Sequence, residues 1–137
     1  MKVRVKWVED VCFMGETESS HAVIMDGSPE IGGRNLGMRP MEMLLVGMGG
    51  CSSIDVVTIL KKSRQAITNC VAERSEERRV GKVFTKIHAH FVVTGKNLNP
   101  VQVERAVNLS AEKYCSASIM LRKAAEMTHS FEIQEAE

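Results

Sequence analysis

The stretch Pro40-Met41-Glu42-Met43-Leu44-Leu45-Val46-Gly47-Met48-Gly49-Gly50-Cys51-Ser52-Ser53-Ile54-Asp55 decides how the rest of the chain is read. Proline at its head suits the first turn of a helix, where a missing N–H costs nothing. The apolar spacing from Met41 onward is helical and runs to Ser63. Lys61, Lys62 and Arg64 lie at that end, where cations meet the negative end of a helix dipole. Apolar residues go nearly all the way round, which predicts a buried central helix. Gly47, Gly49 and Gly50 lie inside it, each costing roughly 1 kcal/mol against alanine. They either let another element approach closely or kink the helix before Cys51.

Upstream, Lys2–Glu9 alternates, with Val3, Val5 and Trp7 on one face and Lys2, Arg4 and Lys6 on the other, as in a half-buried strand. Val11–Glu18 and His21–Asp26 read as two more short strands, completing an antiparallel meander. Asp26–Arg39 carries four glycines and one proline and reads as a loop. Downstream, Asn69–Arg79 and Val83–Thr94 form a hairpin around Gly81. Glu73, Glu76, Glu77, Arg78 and Arg79 are expected mostly in solvent. Val83, Ile87, Phe91 and Val93 share a face of the second strand. Asn99-Pro100 then supplies a helix cap and a first-turn proline. Val101, Val103, Ala106, Val107 and Ala111 make that helix's apolar stripe as far as Tyr114. A third helical stretch runs from Cys115 through Leu121 to Met127, and His129–Ile133 closes as a strand. Strands and helices come in runs, so the class is α+β, in a single domain over residues 1–137.

Bulk composition narrows the function. The 137 residues are 44% hydrophobic and 26% charged, with a net charge of +1 and no basic arm or stripe for nucleic acid. The apolar run is interrupted by glycines and ends at Asp55, and the N-terminus has no signal-peptide core. No membrane association is expected, and a cytoplasmic location is. In that compartment Cys12, Cys51, Cys70 and Cys115 are thiols by default, and a disulfide among them would be catalytic or sensing. No zinc-finger spacing occurs, so neither a metal nor another cofactor is expected.

Among the candidates for chemistry, Cys51 sits on a buried helix, where cysteine usually serves as a small apolar residue. Cys115 borders a helix start in Tyr114-Cys115-Ser116, where backbone N–H groups favour a thiolate. Cys12 and Cys70 read as packing residues. His88 and His90 point to one strand face; nothing nearby completes a metal site, and a solvated face is the plainer reading. The methionines at 38, 41 and 43 read as adaptable packing.

The stretch Pro40–Asp55, together with Leu109-Ser110-Ala111-Glu112-Lys113-Tyr114-Cys115-Ser116, resembles the OsmC-like family of osmotically inducible and organic-hydroperoxide-resistance proteins. The resemblance covers essentially the whole chain, and the two cysteines stand 64 residues apart, as in that family. It implies an OsmC-like fold with the N-terminal meander, buried central helices and an intertwined homodimer. It also implies that Cys51 attacks a small organic hydroperoxide, that Cys115 resolves the product into a disulfide, and that a dithiol reductant restores both. The family's glutamate directly follows the proline. Here Met41 holds that place and Glu42 comes next, about 100° further round a helix. The family's arginine has no clear counterpart, and Arg34 and Arg39 of the long loop are the candidates.

That arginine matters for rate. A thiol with pKa near 8.5 is about 3% thiolate at pH 7, and lowering it to roughly 6 gains about 30-fold in thiolate. Lower basicity returns about 10- to 18-fold in nucleophilicity. The remaining gain is a few-fold, so a fast peroxidase also needs a cation for the developing alkoxide. Arg39 lies about three helical turns from Cys51, roughly 18 Å along the axis, out of reach within its own chain. Two functions follow: a thiol peroxidase, or a dimeric redox-sensing or ligand-binding protein that keeps the thiol pair without fast chemistry.

Overall fold

The computed structural model describes residues 1–78, 81 and 83–137. Arg79 of the expected hairpin therefore lies outside the described residues. The fold is α+β; among the described residues there are two three-stranded sheets and three α-helices, and the chain divides into two compact units, residues 1–46 and 47–137.

In the first unit β1 (Val3–Glu9), β2 (Cys12–Thr17) and β3 (Ala22–Met25) pair as the expected antiparallel meander. A bulge between Trp7 and Glu9 bends β1, and the Trp7 indole N–H donates to the Asp10 carbonyl at 2.9 Å. The alternation of β1 does not bury a face within the chain: Val3, Val5 and Trp7 are all exposed, Trp7 at 64%. The loop that follows is organised by Asp26, whose buried carboxylate accepts from the backbone N–H groups of Gly27, Arg34 and Leu36 at 2.8, 3.1 and 3.1 Å. Its glycines are required by close approach. A Cβ on Gly33 would lie 1.8 Å from the Gly27 carbonyl oxygen, and one on Gly37 would lie 2.2 Å from that of Ile24.

The helix α1 (Pro40–Lys62) starts at the expected proline. Its burial differs from the expectation. Only Met48, Ser52, Val56 and Leu60, spaced four apart, are buried, while Leu44, Val46 and Ile54 are exposed. The reason is that one chain covers one stripe of a helix that is apolar on every side. By length and composition α1 would suffice to cross a membrane, a criterion that core helices also meet; its apolar window has mean hydropathy 1.8 and is 22% buried.

The second unit continues with β4 (Ala66–Arg78) and β5 (Phe84–Lys96), antiparallel to each other. Helix α2 (Pro100–Leu109) is capped by Asn99, whose side chain accepts from the Val101 N–H at 3.0 Å. A π-helical turn, Ser110–Tyr114, leads to Cys115 and the short α3 (Ser116–Leu121). This third helix is shorter than its sequence suggests: Met127 belongs to β6 (Glu126–Glu135), which pairs parallel to β5. Parallel pairing demands a crossover, and α2, the π-turn and α3 are that crossover. The core gathers Val56 and Leu60 of α1, Ala89, Phe91 and Val93 of β5, and Val103, Ala106 and Val107 of α2.

Candidate functional site

The four-residue spacing of the buried stripe on α1 has a consequence for its neighbours. Cys51 and Asp55 are also four apart, so they share a face beside Ser52. The π-turn at the end of α2 widens the helix by one residue per turn and delivers Cys115 against this face. The Cys51 sulfur, the Cys115 sulfur and an Asp55 carboxylate oxygen all lie within 4.8 Å of one another. All four cysteines are free thiols; Cys115 is fully buried and Cys51 half-buried.

Hydrogen bonds hold each member. Cys115 Sγ accepts from the Ser118 N–H at 3.4 Å and from Ser118 Oγ at 3.1 Å, and its thiol faces the Met48 carbonyl at 4.0 Å. Ser110 Oγ shares its proton between Asp55 Oδ2 at 3.1 Å and the Ser52 carbonyl at 3.3 Å. Burial pushes the Cys115 thiol above its ordinary value. The Ser118 hydrogen bonds pull it back, and neighbouring Cys51 pushes it further up.

A guanidinium stands in this unit where none was expected. Arg74 of β4 donates through Nη2 to Ser52 Oγ, stacks over Phe91 at 5.1 Å, and would touch a Cβ placed on Gly49. Its Nε and Nη1 are buried and have no hydrogen-bond partner among the described residues. Burial holds its pKa below the ordinary arginine value, against the opposing charges of Cys115 and Cys70. Beside these nitrogens lies a small cavity of about 30 Å³ bordered by Ser52, Ser118, Thr128 and His129. The expected candidates are engaged elsewhere. Arg34 pairs with Glu9 and Asp10, and Arg39 donates to Asn35 and the Gly37 carbonyl, all within the first unit. The period of β4 carries the missed signal, since Cys70, Ala72 and Arg74 fall on the inward face.

Glu42 acts locally. Its carboxylate accepts from the Arg39 N–H at 2.8 Å, capping the start of α1. Asp55 is the carboxylate grouped with the two sulfurs. His88 and His90 share a partly solvated strand face, as expected, and their rings bond Thr128, Ser130 and Glu132 across the β5–β6 pair. Cys12 is buried, and Cys70 packs against the core with its thiol pushed up by burial and drawn down by Arg74. A cleft of about 680 Å³ borders Asp55, lined also by Ile54, Ile59, Arg105, Leu109 and Tyr114.

Paired thiols on a central helix and a crossover, within this α+β topology, agree with the match of residues 32–130 to a family model for OsmC-like proteins. The chain belongs to the OsmC-like family. It is 49% identical to Protein YhfA of Escherichia coli K12 over 135 residues, 97% of this chain and 98% of the relative. A structure solved by structural genomics is also 49% identical, with a TM-score of 0.92 over 99% of this chain and 100% of that one. The organic hydroperoxide resistance protein OhrB of Bacillus subtilis shares the fold, with a TM-score of 0.63 at 18% identity over 96% of each chain.

Proposed function

We propose that this protein is a cysteine-based peroxidase that reduces organic hydroperoxides, acting as a homodimer of single-domain chains. The observation that carries the reading is the pair of free sulfurs, Cys51 and Cys115, within 4.8 Å of each other. The hydroperoxide-resistance function named for a protein of the same fold adds weight. The Cys51 thiolate attacks one peroxide oxygen, the O–O bond breaks, and the alcohol leaves with a proton, giving a sulfenic acid on Cys51. The Cys115 sulfur then attacks that sulfur while its thiol proton passes to the departing hydroxyl, so water leaves and the disulfide forms. A dithiol reductant supplies the two electrons that reopen it. The Cys115 thiol, raised first of all by its burial, fits the later role, since its sulfur acts only after Cys51 has been oxidised. Arg74 supplies positive charge beside Ser52 and Cys115. The neighbouring cleft sets Ile54, Ile59 and Leu109 among Lys62, Arg105 and Tyr114, giving an alkyl group of a hydroperoxide apolar contacts within a mixed lining.

Exposed apolar residues on α1 and β1 support the dimer, because a second chain covers what one chain leaves bare. The activity is tested by single-turnover thiol oxidation. A cumene-type hydroperoxide should consume two thiols per chain faster than hydrogen peroxide does. Equal slow rates for both oxidants would overturn the peroxidase and leave a redox-sensing protein.

A further inference from the structure

We infer that Cys51, Asp55 and Cys115 form a binding site for a borderline-soft divalent metal ion, of which Zn²⁺ is the type. This inference is independent of the peroxidase reading, since the three ligands stand together whether or not the thiols turn over. The donor set is two sulfurs and one carboxylate oxygen, all within 4.8 Å of one another. Cys51 and Asp55 use the four-residue helical spacing by which two side chains of one helix grip a single ion. On a tetrahedral Zn²⁺ with bonds near 2.3 Å, two sulfurs lie about 3.8 Å apart. The observed grouping therefore closes by no more than about 1 Å, within the reach of side-chain torsions. Three protein ligands leave one position open for water or an exogenous ligand.

The surroundings are those of a metal site. Ser118 donates twice to Cys115 and Ser110 donates to Asp55, fixing ligand orientation while leaving lone pairs free. Charge agrees as well. Two thiolates and a carboxylate carry three negative charges, which a divalent ion and the Arg74 guanidinium cancel together. Arg74 alone cancels one of the three. Its Nε and Nη1 are buried and unpartnered among the described residues, and its charge is felt at Cys115. Binding converts both thiols to thiolates with release of two protons, so the occupied site cannot attack a peroxide until the ion leaves.

The experiment uses the whole reduced chain, freed of metal by chelation and titrated with Co²⁺, whose thiolate charge-transfer absorption reports sulfur ligation. At about 10 μM chain the absorption should saturate at one equivalent per chain. Cys51→Ser and Cys115→Ser should abolish it. Ser110→Ala should weaken binding by about 10- to 100-fold. Cys12→Ser and Cys70→Ser should leave it unchanged. A second measurement needs no variant: Zn²⁺ should slow alkylation of Cys51 and Cys115 at least tenfold, mapped by peptide mass, and spare Cys12 and Cys70. Absence of the absorption band overturns the site. So does a band that survives Cys51→Ser or vanishes in Cys70→Ser, or Zn²⁺ protection that falls on Cys12 or Cys70.

Discussion

Cys51 and Cys115 lie 64 residues apart in the chain, yet their sulfurs come within 4.8 Å of each other. A disulfide closes at about 2.05 Å, so oxidation requires the two sulfurs to turn towards each other. One equivalent of organic hydroperoxide should link the two within a single chain. Cys51→Ser should abolish the reaction, whereas Cys115→Ser should stop at a sulfenic acid and then over-oxidise. Peptide mapping decides the matter, and a bridge that includes Cys12 or Cys70 would refute the pairing.

Arg74 is expected to separate stability from activity. Its buried, incompletely bonded charge opposes folding, and removing an uncompensated charge while keeping bulk relieves that cost. Arg74→Met should therefore raise Tm by roughly 4 °C, about 1 kcal/mol. The same change should slow hydroperoxide reduction by about 10- to 100-fold. Thermal melts paired with single-turnover kinetics check both arms; a variant that melts lower and reacts normally would show a packing role.

Val46 tests the assembly. It is 57% exposed on α1, so in an isolated chain Val46→Glu would shift stability by no more than about 0.5 kcal/mol. Against a partner chain the same change buries an unpaired carboxylate. Sedimentation at micromolar concentration should find a wild-type dimer and a Val46→Glu protein that is monomeric or unfolded. A well-folded wild-type monomer at that concentration contradicts the dimer.

Asp26 governs the acid response of the glycine loop. Burial raises its pKa, but N–H donors from Leu36, Arg34 and Gly27, together with the Arg34 charge, outweigh burial and hold it below 3.8. A depressed carboxylate adds stability above its unfolded value, and that stability is lost as pH falls through the folded value. Melting followed from pH 7 to pH 2 should show this loss in wild type. Asp26→Asn should melt lower at pH 7 and respond less to acid; parallel curves would exclude Asp26 as the titrating group.

The fold was legible where one chain settles its own contacts. The Pro40 helix start, the Asn99 cap and the first three strands each rest on local chemistry, and each stands where its residues indicate. Burial on α1 was not legible, because an all-round apolar helix does not reveal which sides its own chain covers. Arg74 was hidden for a different reason. It sits in a charged run, and only strand alternation with Cys70 and Ala72 marks it as inward-facing. Asp55 needed the register of the crossover, which no local pattern encodes.

The parallel pairing of β6 with β5 has a consequence in the order of synthesis. Phe131 and Ile133 of β6 pack against the core that contains Val103 and Val107 of α2. The crossover is pinned at both ends only after residues 126–135 have joined the sheet. A ribosome adding 5–20 residues per second needs roughly 4–17 s to travel from Cys51 to the end of β6. Throughout that interval Cys51 is a nascent thiol without Cys115 held beside it. A sulfenic acid formed then would have to be met by a soluble thiol rather than by Cys115, so oxidant arriving during translation threatens this chain more than oxidant arriving afterwards.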